Sequence, residues 1–322
     1  MNIGKLKLNG PLVLAPMSGV TNLPFRLLCK KYGASLVHSE MTCSEAIVRQ
    51  NQKSMAMAFS CVEERPLGIQ LLGSNPDTLV HSALMLQEIY SPELIDVNLG
   101  CPAQAVIKNG FGSALLKKPE LIRDIIKQLS DALDIPVTAK IRVLNSRDET
   151  LRIAQGIEKA GAAAITVHGR TQKQGYSGKS DLEIIKNIKS ILAIPVIANG
   201  DIFDEKQAKH VLEYTQCDGL MLGRGAIGNP YIFRRISHYL DNGELLPRMT
   251  FGERLEEFFE YAALCRKYDL LTYNDLKLKA QWFLKNRKNI KSVREKINDA
   301  KDIDSILGIM GELRADTCIK SG

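Results

Sequence analysis

No stretch of this 322-residue chain carries the ~18 consecutive apolar residues that a helix needs to cross a bilayer, so a membrane span is not expected. The N-terminal segment lacks the charged-then-apolar layout of an export signal, because Lys5 and Lys7 alternate with Leu6 and Leu8. Cys29, Cys43, Cys61, Cys101, Cys217, Cys265 and Cys318 are odd in number, scattered and never spaced as C-x-x-C. That pattern argues against a disulfide framework and against a zinc site. The expected setting is the reducing cytoplasm, with no membrane partner and no metal.

What the chain does have is a repeated grammar of short aliphatic runs followed by polar or glycine-rich endings. The runs are Leu12 to Pro16, Leu36 to Glu40, Gly68 to Leu72, Ile95 to Leu99, Val137 to Ile141, Ala164 to His168, Val196 to Asn199 and Gly219 to Leu222. Between them lie segments with helical spacing. Leu121, Ile122, Ile125, Ile126 and Leu129 form an apolar stripe after Pro119, and Gly161 stands where a helix C-terminal cap belongs. Strand starts recur every ~25 to 40 residues, the rhythm of β-α units. The fold class read from this is α/β, a (β/α)8 TIM barrel, with a doubly wound sheet as second choice.

Past Gly243 the alternation stops and only helical patterns continue, over Phe251 to Tyr268, Tyr273 to Arg287 and Ile303 to Leu313. The expected organisation is a barrel over residues 1–246 followed by a small all-helical domain over 247–322. The helical part holds a basic run, in which Lys277, Lys279, Lys285, Arg287, Lys288, Lys291, Arg294 and Lys296 oppose one acid, Glu295. The local excess equals the whole chain's formal net charge of +7. An arbitrary basic run is more often a solvated helix face. Tyr273, Trp282 and Phe283 interleave with this one, and rings beside cations suit nucleic-acid phosphates and bases.

In a barrel, strand C-termini ring one pocket. The first strand stops at Pro16-Met17-Ser18, the third holds Gln70, the fourth Asn98, the fifth Lys140 with Arg142, the sixth His168 with Arg170, and the seventh Asn199-Gly200-Asp201. The eighth ends in Gly223-Arg224-Gly225, with Gly228 three residues on. A lone histidine on an apolar strand is more often a hydrogen-bonded core residue, but this many polar strand ends are hard to explain as packing. The glycine spacing formally matches a dinucleotide fingerprint, yet it closes the last β-α unit rather than opening the first. Loops after the seventh and eighth barrel strands hold phosphates, so one terminal phosphate fits better. Gln70 and Asn98 suit the amide edge of a planar heterocycle, and Lys140 suits negative charge on a reduced ring; flavin mononucleotide satisfies that set. Pyridoxal phosphate on Lys140 is the competitor, but it leaves Gln70 and Asn98 without a task.

Several long motifs then occur in order: Ala15-Pro16-Met17-Ser18-Gly19-Val20-Thr21-Asn22, Asp96-Val97-Asn98-Leu99-Gly100-Cys101-Pro102, Gly110-Phe111-Gly112-Ser113-Ala114-Leu115-Leu116, Val167-His168-Gly169-Arg170-Thr171 and Ile197-Ala198-Asn199-Gly200-Asp201. From Leu12 to about residue 290 the chain closely resembles the tRNA-dihydrouridine synthases, with a motif order most like the bacterial B-type branch. The resemblance implies an FMN barrel with a helical tRNA-binding domain that reduces D-loop uridine to 5,6-dihydrouridine, with NADPH as electron source. It places FMN against Pro16, Met17, Ser18, Gln70, Lys140, His168, Asn199, Gly200, Asp201, Gly223 and Arg224, and Asn98 against substrate or flavin. It makes Cys101 the catalytic acid: hydride from reduced FMN reaches C6 of the uracil, and Cys101 protonates C5. A thiol of ordinary acidity, about 8.5, is mostly protonated at neutral pH, as an acid must be.

Lys108 and Arg170 are the candidates for RNA contacts near the pocket rim, and Lys277, Lys279, Lys285 and Arg287 for contacts on the helical part. The target base must be extruded from folded RNA. The chain departs from the family at Leu144-Asn145, where Gly-Trp is frequent, and at Gln104-Ala105, where close relatives carry a basic pair. The expected protein is a monomer. Competing readings are an FMN barrel that oxidises dihydroorotate or acts on another free pyrimidine, which gives the basic helices no task, and a noncatalytic tRNA-binding module, which leaves the polar pocket without one.

Overall fold

The computed structural model describes residues 1–285 and 290–319. It opens with an antiparallel hairpin, β1 (Asn2–Ile3) and β2 (Leu6–Lys7), and then enters the β-α repeat. Strand β3 (Leu12–Leu14) leads to α1 (Leu23–Lys31), and β4 (Val37–His38) and β5 (Thr42–Cys43) lead to α2 (Ser44–Val48) and α3 (Gln52–Ala58). Next come β6 (Leu67–Leu72) with α4 (Pro76–Tyr90), and β7 (Leu94–Leu99) with α5 (Gln104–Lys108), a 3-10 stretch and α6 (Pro119–Ala132). The repeat continues with β8 (Val137–Val143) and α7 (Arg147–Lys159), β9 (Ala164–Thr171) and α8 (Leu182–Ile191), and β10 (Val196–Asn199) and α9 (Glu205–Thr215). It ends with β11 (Gly219–Leu222) and α10 (Ile232–Asn242), after which α11 (Phe251–Lys267), α12 (Tyr273–Phe283), α13 (Lys291–Asp299) and α14 (Ile303–Ile319) follow without strands.

The parallel strands run in the order β3-β11-β10-β9-β8-β7-β6-β4, and a parallel bridge between Val13 and Leu36 closes the ring. All eight expected strands are therefore present as one barrel, and the α/β class stands. Alternation on each strand separates two cores. Ile3, Leu8, Val13, Ala15, Leu36, Leu94, Ala164, Ile197 and Met221 fill the barrel interior, while Leu12, Leu14, Ile69, Val97 and Ile141 face the helices. The hairpin was not anticipated, since it carries only two residues per strand. A β carbon on its Gly4 would touch Pro136 and Ala163, so the hairpin lies across the N-terminal end of the barrel.

Helices start and stop where the local chemistry says. Pro119 opens α6, whose Ile122, Ile125, Ile126 and Leu129 are buried, and Gly161 adopts φ +104° just past the end of α7, as expected. Helix α11 begins with a capping box between Thr250 and Glu253. The segment expected as one helix from Tyr273 to Arg287 is α12, ending at Phe283; Arg287 and Lys288 lie outside the described residues. Helix α13 was read only as part of a charge run, because a single residue, Ile297, supplies its buried face.

The C-terminal helices pack on the first β-α unit, with Leu255, Phe258, Leu276 and Phe283 continuous with the core around Phe25 and Leu28. Beside that seam Arg26 and Glu64 form a fully buried bidentate ion pair, and Arg26 also donates to the carbonyl oxygens of Thr21 and Phe59, both at 2.7 Å. Removing the guanidinium leaves a buried carboxylate without its ion-pair partner. Arg26→Leu is expected to lower stability by about 3–5 kcal/mol, read from the shift of a urea unfolding midpoint.

Candidate active site

Sheet register explains why the polar strand ends converge. Gln70 pairs with Asp96, Asn98 with Lys140, Arg142 with His168, His168 with Asn199, and Asn199 with Met221. Residues in register on neighbouring parallel strands point the same way, so these side chains enter the barrel at its C-terminal end. Of these, all but Asp96 line a cavity of about 590 Å³, together with Pro16, Met17, Met41, Cys101, Tyr176, Phe203, Asp201, Gly223, Arg224 and Ile227.

On the β6–β7 side a hydrogen-bond relay fixes the wall. Thr138 Oγ1 donates to Asp96 Oδ1 at 2.6 Å, Gln70 Nε2 donates to Asp96 Oδ2 at 2.7 Å, and Asn98 Nδ2 donates to Gln70 Oε1 at 2.7 Å. Asn98 Oδ1 then accepts from the backbone N–H groups of Gly100, at 3.1 Å, and Cys101, at 2.9 Å. Because a carboxylate only accepts, Asp96 decides which way both amides point. The thiol-bearing residue is thus held from its own backbone. From behind, Ser113 donates to the Cys101 carbonyl oxygen through both its N–H and its hydroxyl. Gly112, at φ +59°, must be glycine there, since a β carbon would come within 2.9 Å of that oxygen.

The opposite wall is cationic. Lys140 Nζ donates to Asn199 Oδ1 at 3.1 Å, and Asn199 Nδ2 donates to the Met221 carbonyl oxygen at 2.7 Å. Burial pulls the Lys140 ammonium down to about 8; Asp96 opposes that shift and Arg142 adds to it. Burial, and then Lys140, Arg142, Arg170 and Arg224, push His168 down to about 2, so its imidazole is neutral at physiological pH. Arg170 makes two bonds to Asp201, at 2.8 and 2.7 Å, and Arg224 reaches the same carboxylate at 3.1 Å. Tyr176, 62 % exposed, lies against Arg224 with the guanidinium 4.5 Å from its ring centre. Gly225 lets this loop close on β10's exit, where a β carbon would stand 2.2 Å from the Ile202 carbonyl oxygen.

The family model described as "Dihydrouridine synthase (Dus)" matches residues 13–314. The chain belongs to the dihydrouridine synthase family. Enzymes of this family are flavin-dependent oxidoreductases. The tRNA-dihydrouridine synthase B of Pseudomonas syringae pv. tomato is 36 % identical over 99 % of this chain and 95 % of its own length. The enzyme of that name from Escherichia coli K12 is 42 % identical over 79 % of each chain. Among solved structures, histamine dehydrogenase from Rhizobium sp. 4-9 superposes with a TM-score of 0.56 at 13 % identity, covering 76 % of this chain and 47 % of that one. An old yellow enzyme homologue from Zymomonas mobilis gives 0.52 at 12 %, covering 76 % and 92 %. These two likenesses show the barrel fold.

The cavity brings together most of the residues expected from the sequence: Pro16, Met17, Ser18, Gln70, Asn98, Cys101, Lys140, His168, Asn199, Gly200, Asp201, Gly223 and Arg224 all line it. Two expected RNA contacts are corrected. Arg170 is 2 % exposed and spends its guanidinium on Asp201 and on the carbonyl oxygens of Ser177 and Gly178, so it shapes the site from inside. Lys279 is fully buried between α12 and the loop after β3. Lys108 and Lys285 are exposed, and Lys277 donates to Tyr273 and to the Asn298 carbonyl oxygen. Asp96, Thr138 and Ser113 were missed as site residues, although Asp96 stood two positions before Asn98 on the same strand face. Tyr176 and Met41 gave no signal, because they come from irregular loops. Among the described residues no group of three or more His, Cys, Asp or Glu could hold a metal ion.

The neutral imidazole has a measurable consequence. Between pH 6.5 and about 2 an unfolded chain binds a proton at His168 that the native protein refuses, so stability falls as pH is lowered through that window. His168→Gln is expected to flatten that part of the acid-unfolding profile; a wild-type slope in the variant would contradict the assignment.

Proposed function

We propose that this chain reduces uridine to 5,6-dihydrouridine in the D-loop of tRNA, with FMN as resident cofactor and NADPH as donor, acting as a cytoplasmic monomer. The observation that carries the reading is the relay from Asp96 through Gln70 and Asn98 to the Cys101 backbone, facing a cation-lined cavity. The cavity volume, about 590 Å³, lies within the ~300–1,000 Å³ range of small-molecule sites. Its donor set fits a flavin phosphate ester: Arg224 and the Gly223–Gly225 loop offer the phosphate end, and Met17, Met41 and Ile227 offer apolar walls. Gln70 retains one N–H and one lone pair beyond the relay for a heterocycle edge, and Lys140 offers positive charge beside it.

FMN held there would supply hydride chemistry for C6 of the uracil, with NADPH as the donor. Cys101 holds the proton for C5 on its Sγ. The relay fixes the Cys101 main chain while the side chain remains at the cavity edge, partly exposed, where an extruded base can reach it. Neutral His168 is unable to compete as an acid at physiological pH. Electrostatic engagement of tRNA falls to exposed cations, Lys108 and Lys285 among them, and the residues from about 247 onward are a helical tRNA-binding domain. The coil between α10, ending at Asn242, and α11, starting at Phe251, supports that boundary.

The test is an anaerobic single turnover of prereduced protein against unmodified tRNA and free uridine, with nucleosides resolved by mass spectrometry. A gain of about two mass units in a D-loop uridine, absent with free uridine, is expected; flavin oxidation by free pyrimidines alone would replace the reading. In that assay Cys101→Ala is expected to keep flavin binding and lose more than ~100-fold in rate. Affinity for tRNA should fall linearly in log–log form with salt, and Lys108→Ala or Lys285→Ala should each reduce the slope by about one.

A further inference from the structure

Lys279 is an ammonium buried where a hydrophobic side chain would ordinarily pack more cheaply. Its surroundings are largely aromatic: Nζ lies 4.4 Å from the Trp282 ring centre, 5.5 Å from that of Tyr261 and 5.9 Å from that of Phe25. All three protons have oxygen partners. Nζ is 3.1 Å from Asp275 Oδ1 on its own helix, and donates to the carbonyl oxygens of Gly19 at 3.2 Å and Val20 at 3.3 Å. Those carbonyls belong to the turn after β3, whose Met17, Ser18 and Val20 line the cavity.

The same turn is gripped from its other side. Gly19, at φ +69°, donates its N–H to Glu40 Oε2 at 2.6 Å, and Thr21 Oγ1 accepts from the Met17 N–H at 3.0 Å. Asp275 also accepts from Tyr261, whose hydroxyl accepts in turn from Asn22 Nδ2 at 2.7 Å. At the far end of α12, Gly228 approaches so closely that a β carbon there would lie 2.5 Å from the Trp282 carbonyl oxygen. Helix α12 therefore spans two chain segments that carry cavity residues, the one after β3 and the one after β11.

We propose that Lys279 is a positioning residue of the cofactor site, which holds the Met17–Val20 turn in its binding shape and so builds the C-terminal helices into flavin binding. The inference rests on the flavin reading above. It assigns to this lysine a task inside the protein and not on the RNA.

The experiment is FMN titration of the full-length apoprotein, followed by flavin fluorescence and by visible circular dichroism of the bound ring, for wild type, Lys279→Met and Leu276→Ala. Leu276 is a buried α12 residue with no bond to the turn, so it reports general loosening of the helix. Lys279→Met is expected to raise the FMN Kd about tenfold or more and to alter the dichroism, with Leu276→Ala within about twofold of wild type. A Kd for Lys279→Met within about twofold of wild type overturns the proposal, as does an equal rise in both variants. Should Lys279→Met not fold, Asp275→Asn keeps the lysine and removes its counter-charge; a smaller rise in Kd is expected, and an unchanged one overturns the proposal. Wild type that binds no FMN at any concentration would instead refute the flavin reading.

Discussion

The site depends on one buried carboxylate. Asp96 sits 1 % exposed inside β7, between Ile95 and Val97, and each of its oxygens takes a hydrogen bond from a different neighbouring strand, Thr138 on β8 and Gln70 on β6. A carboxylate in such a place is costly unless its acceptor sites are used. Using them dictates everything downstream. Gln70 must turn its NH2 toward Asp96, which leaves its oxygen for Asn98, which leaves the Asn98 oxygen for the N–H groups of Gly100 and Cys101. The orientation of the Cys101 loop is thus set from Asp96 through two amide side chains that bond its backbone.

The other wall solves a different problem, how to keep several cations together in a place poor in water. Lys140, Arg142, Arg170 and Arg224 share the region with Asp201, which serves two of the arginines, and with Asp96, which acts on Lys140. Asp201 itself takes a left-handed backbone, φ +55°, a strain that its three ionic and backbone partners keep in place. Burial depresses the basicity of both Lys140 and His168, and at His168 the neighbouring cations depress it further. A negative charge placed among these side chains would be attracted to them, and little water is there to screen it.

Strand positions were legible in the sequence because parallel barrel strands are short, apolar and punctuated, and β10 and β11 occupy the ranges read for them. Elsewhere the limits moved for local reasons. Leu36 to Glu40 yielded only the two-residue β4, since Ser39 and Glu40 turn away to bond Gln70 and Gly19. At β9 the strand ran past His168 to Thr171, carried over a register shift where β8 and β9 meet at the mouth. The pocket list read well for a related reason: in a barrel, a polar residue at a strand C-terminus has one place to point. Loops have no such rule, and Met41, Tyr176 and Phe203 enter the cavity from loops.

Charge was the least readable property, because the sequence records the sign of a residue and not its distance from water. Lys279 and Lys285 stood in one run of cations six residues apart, yet one is fully buried and the other exposed. Helical geometry supplies the missing distinction. Leu276, Ala280 and Phe283 form a stripe with steps of four and three, all buried, and Lys279 falls beside that stripe. A cation beside an apolar stripe, with an aspartate four residues before it, has a counter-ion for burial already on its own helix. Arg170 follows the same logic on a strand, two residues after buried His168 and on its face of the sheet. Basic residues at such positions are better read first as struts, and the nucleic-acid surface sought among cations whose helical or strand phase points away from the core.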